Sequence, residues 1–373
     1  MKIIDTIKRA LASAGLDTQA GPMKGVTDAI QQALSAAGLN QRGSVRGQHG
    51  ATIDVVARRV GNPGDSASGA AIRPAAPDRH TQPGEFVSRS FTNDAGTRTY
   101  KLYVPASYAG ELGDAVSMVV MLHGCTQSPD DFAAGTRMNA LADHHGFLVV
   151  YPAQAVNANG SKCWNWFRPE DQGRDRGEPS LIAGITREVA SNYRVDERRI
   201  FVAGLSAGAA MAVILGATYP ELYAAVGAHS GLPYGAAHDM PSAFGAMKGG
   251  ATLAGVLKAG NSLPTIVFHG DRDHTVNARN GAAIVEQATA GRPDEPHLRA
   301  SVHEGAAADG RTYRHTVYAD AANRPIVEQW VLHGAGHAWS GGSPNGSFTD
   351  VGGPDASAEM IRFFYSQPHS GTA

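Results

Sequence analysis

The sequence Ala-Gly-Leu-Ser-Ala-Gly at residues 203–208 decides the fold of this 373-residue chain. The predominantly apolar residues 199–203 predict a strand before it, and the helix-compatible residues 209–218 predict a helix after it. The two glycines permit a sharp turn that lifts the hydroxyl of Ser206 above the edge of a sheet. The chain has 45 Gly, so this pattern can also arise by chance. The alternative is a tight loop that has no catalytic role. The strand–turn–helix context favours a nucleophilic serine.

Strands and helices alternate on both sides of this turn, which predicts an α/β fold with a mostly parallel sheet and helices on both faces. A hairpin is predicted around the turn Asn93-Asp94-Ala95-Gly96. Ser128 is a predicted N-cap for a helix that we expect to end near Gly146. Apolar or amphipathic patterns predict further strands at 116–122, 147–151, 224–228, 265–268 and 326–332, and helices at 180–193 and 356–364.

A serine nucleophile needs a histidine base and an acid that orients this base. Asp271 and Asp273 follow the predicted strand 265–268, and His337 follows the predicted strand 326–332. Serine, acid and histidine thus come in the chain order of α/β-hydrolases, each after a strand. We prefer Asp273 as the acid because it lies further into the loop. Asp271 is the alternative, and each carboxylate could instead only cap a turn.

His333 and His337 have a spacing that also occurs in zinc sites. The intervening Gly-Ala-Gly breaks a helix, and no cluster of Cys or carboxylates completes a set of ligands. We therefore expect no metal, and no organic cofactor, because a serine nucleophile with its base and acid needs neither.

The predicted strand 116–122 ends in His123-Gly124-Cys125. In this architecture the loop after such a strand supplies one oxyanion N–H, and the residue after the serine supplies the other. The backbone amides of Cys125 and Ala207 are the predicted donors. His123 is expected to be buried and to hold the loop by hydrogen bonds.

Two cysteines exclude a disulfide-dense scaffold. Cys125 and Cys163 lie in loops that one edge of the sheet could bring together, which predicts a disulfide between them. Two free thiols are the alternative. Trp164, Trp166 and Trp339 are candidates for the wall of an apolar substrate site, and core positions are the alternative for each ring.

The charge balance and the length of the apolar runs argue against some classes of protein. The chain holds 32 Lys and Arg against 34 Asp and Glu, and the net charge of −2 gives no electrostatic reason to expect a nucleic-acid partner. No apolar run approaches the ~20 residues of a membrane span. We expect a globular enzyme whose oligomeric state the sequence leaves open.

The first part of the chain differs from the rest. Residues 7–16 recur with changes as residues 30–39, so a helical N-terminal segment is predicted at 1–60, followed by a Gly- and Pro-rich linker at 61–84 and a catalytic domain at 85–367. Basic residues outnumber acidic ones in the N-terminal segment. We expect it to contact a polymer or membrane surface, or a partner.

Four motifs together resemble the polyhydroxybutyrate depolymerase family of esterases, which has feruloyl and acetylxylan esterase relatives. They are His-Gly-Cys-Thr-Gln at 123–127, Cys-Trp-Asn-Trp-Phe at 163–167, Gly-Leu-Ser-Ala-Gly at 204–208 and Gly-His-Ala-Trp at 336–339. The resemblance implies an α/β-hydrolase fold, a Ser206–Asp273–His337 triad and an ester substrate, often a short-chain polyhydroxyalkanoate.

The family resemblance also implies a secreted protein, although Lys8 and Arg9 interrupt the apolar run that a Sec signal needs. A cytoplasmic location is the alternative. Ala209 stands where the family usually has a further Gly, and no C-terminal substrate-binding module is expected after residue 367. The predicted function is hydrolysis of poly-3-hydroxybutyrate or its oligomers. A feruloyl or acetylxylan esterase is the alternative, and a polymer- or granule-binding protein is the hypothesis from another class.

Overall fold

The computed structural model describes residues 84–251, 262–290 and 298–367. The N-terminal segment predicted at 1–60, and all but the last residue of the linker predicted at 61–84, lie outside the described residues. Among the helices that are described, none combines the length and the apolar character needed to cross a bilayer.

Ten strands of the described residues form one sheet, and two short ones form a second. The strands are β1 Glu85–Asn93, β2 Gly96–Val104, β3 Val116–Leu122, β4 Leu148–Pro152, β5 Val195–Leu205, β6 Ala225–His229, β7 Thr265–Gly270, β8 Arg299–Ala306, β9 Thr312–Ala319, β10 Pro325–Leu332, β11 Trp339–Ser340 and β12 Thr349–Asp350. The α-helices are α1 Pro129–Thr136, α2 Met138–His145, α3 Gly177–Asn192, α4 Ala207–Thr218, α5 Met240–Gly249, α6 Arg279–Ala290 and α7 Ala356–Ser366.

The large sheet is parallel in its centre and antiparallel at both edges. Its strand order is β1-β2-β4-β3-β5-β6-β7-β10-β9-β8, and the pairs from β4 across to β10 are parallel. The β1–β2 hairpin joins β4 antiparallel at one edge, and the β9–β8 hairpin joins β10 antiparallel at the other. The expected mostly parallel sheet is therefore confirmed.

Helices cover both faces of the sheet, and each face has its own core. Alternate residues of β3 enter opposite cores: Met118, Val120 and Leu122 lie with residues of α3, α4 and α6. Val119 and Met121 lie with residues of α1, α2 and α7. A strand buried on both faces has no polar alternation, which explains the continuous apolar run in its sequence.

The structure differs from the local predictions in several places. The single helix expected between Ser128 and Gly146 is two helices, because Arg137 adopts a left-handed conformation with φ 56° between α1 and α2. Strands β8 and β9 and helices α5 and α6 were not predicted. Nearly every residue of β8 is exposed, so its sequence lacks the apolar alternation by which a half-buried strand is identified.

Candidate active site

Ser206 lies in the turn between β5 and α4, at the carboxyl edge of the parallel strands. Its backbone has φ 58° and ψ −120°, a conformation that costs energy for a residue with a Cβ. The turn is held because the Ser206 amide donates to the carbonyl of His229 at 2.9 Å. The residue is 9% exposed. This is the strained strand-to-helix turn that the sequence predicts.

Gly204 and Gly208 are needed for close packing rather than for a positive φ. A Cβ on Gly204 would overlap the backbone of Gly208, and a Cβ on Gly208 would overlap the carbonyl oxygens of Leu122 and His123. The turn therefore lies directly against the end of β3. Glycine at both positions allows this contact between β3 and the serine turn.

Asp273 and His337 are in direct contact. Asp273 follows β7, and its Oδ1 accepts hydrogen bonds from the amides of Thr275 at 2.9 Å and Val276 at 2.8 Å. Its Oδ2 lies 2.6 Å from Nδ1 of His337. Since a carboxylate can only accept, Nδ1 carries the hydrogen, and Nε2 is the nitrogen available as a base.

The Asp273 carboxylate is ionised in this environment. Burial alone would raise its pKa, but hydrogen bonds from His269 and His337 and the backbone of Val276 outweigh burial and hold the pKa of Asp273 well below its ordinary value. The negative charge is thus retained beside the imidazole, where it can stabilise an imidazolium.

Asp271, the alternative acid, faces a different histidine. Its Oδ2 lies 2.9 Å from Nδ1 of His333, and its Oδ1 accepts from the amide of Gly334 at 2.7 Å. His333 and His337 are therefore held by separate carboxylates. In residues 84–251, 262–290 and 298–367, no group of three or more His, Cys, Asp or Glu is placed to hold a metal ion.

The serine, acid and histidine follow strands of one parallel group. Leu205, His229, Phe268 and Trp330 are paired across β5, β6, β7 and β10, so the loops after these strands share one edge. Within the described residues, the Ser206 hydroxyl makes no hydrogen bond to His337. Such bonds often form only when substrate is bound.

Both predicted oxyanion donors belong to segments next to Ser206. A Cβ placed on Gly124 would lie 3.6 Å from the Cβ of Ser206, so the loop that carries Cys125 lies against Ser206. Ala207 is the first residue of α4, where helix geometry leaves the amide without a partner. Among the described groups, neither the Cys125 amide nor the Ala207 amide donates to another part of the protein.

His123 fixes the loop that carries Cys125, as predicted. Its Nδ1 lies 2.7 Å from the carbonyl of Gly124, and its Nε2 accepts from the amide of Gln154 at 3.1 Å. The carbonyl of His123 accepts from Nε1 of Trp164 at 3.1 Å. Burial lowers the pKa of His123 to about 4, so the ring is neutral near neutral pH.

The predicted disulfide between Cys125 and Cys163 is present. It joins the loop after β3 to the loop after β4. The same two loops are joined by a backbone hydrogen bond of 2.7 Å from Thr126 to Ser161. The free-thiol alternative is therefore wrong, and the position of the Cys125 amide depends on the second loop.

Sequence reasoning missed a buried carboxylate that anchors this second loop. Glu178 accepts from the backbone amide of Asn165 at 2.7 Å and from its side chain at 2.8 Å, and it also accepts from Gln154. Arg98 neutralises it at 3.3 Å. One signal was available: Glu178 lies three, four and seven residues before apolar positions of its helix, so it falls on the buried face.

Trp164 and Trp339 have 0% and 1% of their surface exposed, and Trp166 has 6%. The Trp339 ring stacks on His229 at 5.2 Å, and its Nε1 donates to Ser357 at 3.1 Å. Trp164 and Trp339 therefore pack in the two cores beside the site and have almost no surface for a ligand. A substrate contact stays a prediction for Trp166 alone.

The sheet order, the serine turn and the positions of acid and histidine define an α/β-hydrolase. A solved structure titled acetyl xylan esterase from Aspergillus awamori has the same fold, with a TM-score of 0.59 at 20% identity over 75% of this chain and 99% of that chain.

The family model of esterase PHB depolymerase matches residues 98–291, more than half of the chain. The chain belongs to this family. Poly(3-hydroxyalkanoate) depolymerase C of Paucimonas lemoignei is 34% identical over 67% of this chain and 60% of that relative. A probable acetylxylan esterase A of Aspergillus fumigatus is 34% identical over 40% of this chain. A feruloyl esterase B of Neurospora crassa is 33% identical over 38% of this chain. The matches span 38% and 47% of the latter two relatives.

Proposed function

We propose that the protein is a serine esterase with Ser206 as nucleophile, His337 as base and Asp273 as the acid that orients the base. The contact of 2.6 Å between Asp273 and Nδ1 of His337 carries this proposal. It leaves Nε2 as the basic nitrogen, at the edge of the sheet where the strained turn presents the serine.

The reaction proceeds in two halves. The Ser206 hydroxyl attacks the ester carbonyl while Nε2 of His337 takes its proton, and the imidazolium then protonates the leaving alcohol. Water hydrolyses the acyl-enzyme by the reverse path. The amides of Cys125 and Ala207 hold the oxyanion, and each such donor is worth ~10²–10³ in rate.

The substrate that we propose is poly-3-hydroxybutyrate or its soluble oligomers. Support comes from the family match and from the extent of similarity to the polyhydroxyalkanoate depolymerase, which covers 67% of the chain. Similarity to the acetylxylan and feruloyl esterases covers 40% and 38%. Carbohydrate esters are therefore the competing substrates in the test.

A hydrolysis panel at matched ester-bond concentration tests this proposal. It contains amorphous poly-3-hydroxybutyrate, 3-hydroxybutyrate oligomers, methyl ferulate and acetylated xylan. We expect the highest kcat/KM for the hydroxybutyrate esters. A higher kcat/KM for methyl ferulate or for acetylated xylan would favour a feruloyl or acetylxylan esterase instead. Failure of a fluorophosphonate to label Ser206, with no turnover of any ester, would favour a binding protein instead.

We further propose that the protein works in an oxidising compartment outside the cytoplasm. The disulfide supports this location, because cytosolic thiols are normally kept reduced. Fractionation of the native source with an antibody tests it. Recovery of the protein in the cytosol with both thiols free would contradict it.

A further inference from the structure

His269 is a buried histidine that the proposed reaction does not use. It lies in β7, four residues before Asp273, and is 1% exposed. Its Nε2 lies 2.8 Å from the carbonyl of Val276 and 3.5 Å from Oδ2 of Asp273. Both neighbours are acceptors, so Nε2 carries a hydrogen.

The other ring nitrogen shows that His269 is neutral. Nδ1 is buried and has no hydrogen-bond partner among the described residues. It lies against Gly281, where a Cβ would come within 2.8 Å of it. A proton on Nδ1 would leave both a donor and a positive charge buried without an acceptor. The ring is therefore the neutral Nε2–H tautomer.

Among the described residues, Asp273 contacts His269, His229 interacts with it electrostatically, and His337 shares the carboxylate of Asp273 with it. Burial, followed by the proximity of His269 and His337, lowers the pKa of His229 to about 3, so that ring is uncharged. Within the described residues, the basic side chains in contact with Asp273 are those of His269 and His337, and no Lys or Arg pairs with it. The carboxylate charge is therefore not cancelled by a permanent cation.

We propose that His269 is the positioning residue of the acid in this triad, a role that rests on the proposed function. Its N–H holds the turn from Asp273 to Val276 and directs Oδ2 toward His337. Because the donor is neutral, it orients the carboxylate and leaves the negative charge to stabilise the imidazolium of His337. A Lys or Arg in its place would compete for that charge.

Substitution of His269 by Gln or by Asn distinguishes a role of its Nε2–H hydrogen bond from a role in filling buried space. The amide nitrogen of Gln reaches the position of Nε2, whereas that of Asn reaches only the position of Nδ1. We expect His269→Gln to keep kcat within ~3-fold of wild type and His269→Asn to lose at least ~10-fold in kcat with little change in KM, because a misplaced acid impairs the chemical step.

His333→Gln is the matched control. It alters the corresponding histidine–carboxylate pair, formed with Asp271, and we expect kcat to stay at the wild-type value. Circular dichroism establishes that each variant is folded. Equal kcat for folded Gln and Asn variants would overturn the proposal.

A measurement on the unsubstituted protein covers the case in which the variants do not fold. Imidazole ¹⁵N NMR reports the tautomer of His269 directly. We expect the Nε2–H tautomer, because Nε2 faces the carbonyl of Val276 and the carboxylate of Asp273, whereas Nδ1 has no partner among the described residues. An Nδ1–H tautomer would overturn the positioning role.

Different experimental results would contradict the proposed function and the role of His269. If the wild-type chain hydrolyses no ester and is not labelled at Ser206, the esterase proposal is wrong, and the NMR result still decides whether His269 holds Asp273. If the wild type is active and the Asn variant is equally active, only the role of His269 is wrong.

Discussion

Ser206 occupies a left-handed backbone conformation that the surrounding chain enforces. The backbone hydrogen bond to His229 does not involve the hydroxyl, so the turn should survive removal of this group. We expect Ser206→Ala to abolish turnover of p-nitrophenyl butyrate with an unchanged thermal unfolding midpoint. Turnover within about tenfold of wild type would remove the nucleophile assignment, since loss of a triad member costs far more.

Asp271 and Asp273 provide a comparison of two carboxylates in one loop. Asp273→Asn should lower kcat by ~10⁴, the effect known for the corresponding change in a serine protease, because an amide favours the wrong imidazole tautomer. Asp271→Asn should leave kcat near the wild-type value, because Asp271 pairs with His333 instead. Steady-state kinetics of both variants on one soluble ester measures this, and the reverse ranking would make Asp271 the acid.

The loops after β3 and β4 act as one unit because the disulfide joins them. The bridge spans a sequence separation of 38, for which the chain-entropy model gives an upper guide of ~3–4 kcal/mol. Reduction should lower the unfolding midpoint and also kcat, since displacement of the Cys125 amide weakens the oxyanion site.

Scanning calorimetry and ester turnover with and without reductant test this prediction. The Cys163→Ser variant is the control, and its activity should be low and insensitive to reductant. Full wild-type kcat after reduction, with both thiols alkylated as shown by mass spectrometry, would contradict a role for the bridge in the active site.

Strands β3 and β6 lead into buried neutral histidines, and this predicts a pH dependence of stability. The pKa of His123 is lowered by burial to about 4 and that of His229 to about 3, whereas an unfolded histidine titrates near ~6.5. The unfolded state therefore binds more protons below pH ~6.5, and stability present above this pH is lost as the pH falls toward ~4.

Asp171 acts in the opposite direction, because burial and then the nearby Glu178 raise its pKa to about 6. Acidification lowers stability through the two histidines and raises it through one carboxyl. The free energy of unfolding should therefore fall, by up to ~1.4 kcal/mol per pH unit for each additional proton that the unfolded state binds. Unfolding midpoints measured between about pH 7 and about pH 4.5 test this. The His123→Gln variant should show a shallower slope, and a midpoint that rises on acidification would contradict the prediction.

At the scale of the whole molecule, every residue of the proposed site lies between residues 123 and 337. Deletion of residues 1–80 should therefore preserve turnover of soluble esters. It should also reduce binding to polymer particles if the basic segment at 1–60 contacts that surface. Ester kinetics and a particle sedimentation assay measure the two effects separately. A folded product without soluble-ester activity would show that the segment belongs to the catalytic domain.

Local sequence patterns predicted much of this molecule. A buried strand, a Gly-flanked serine and a helix are recognised within ten to twenty residues, because backbone sterics and the spacing of apolar side chains act over that range. The serine turn, the parallel strands and the chain order of Ser206, Asp273 and His337 therefore follow from the sequence. The apolar run at 116–122 also predicted the position of the loop that carries Cys125.

Tertiary packing alone decided which loops and side chains meet. Whether Asp271 or Asp273 faces His337 depends on how loops more than sixty residues apart pack at one edge of the sheet. The same packing buries Trp164 and places His269 beside Asp273. A sequence pattern specifies the periodicity and the turns of a segment, whereas these contacts depend on how separate segments share space in a close-packed interior.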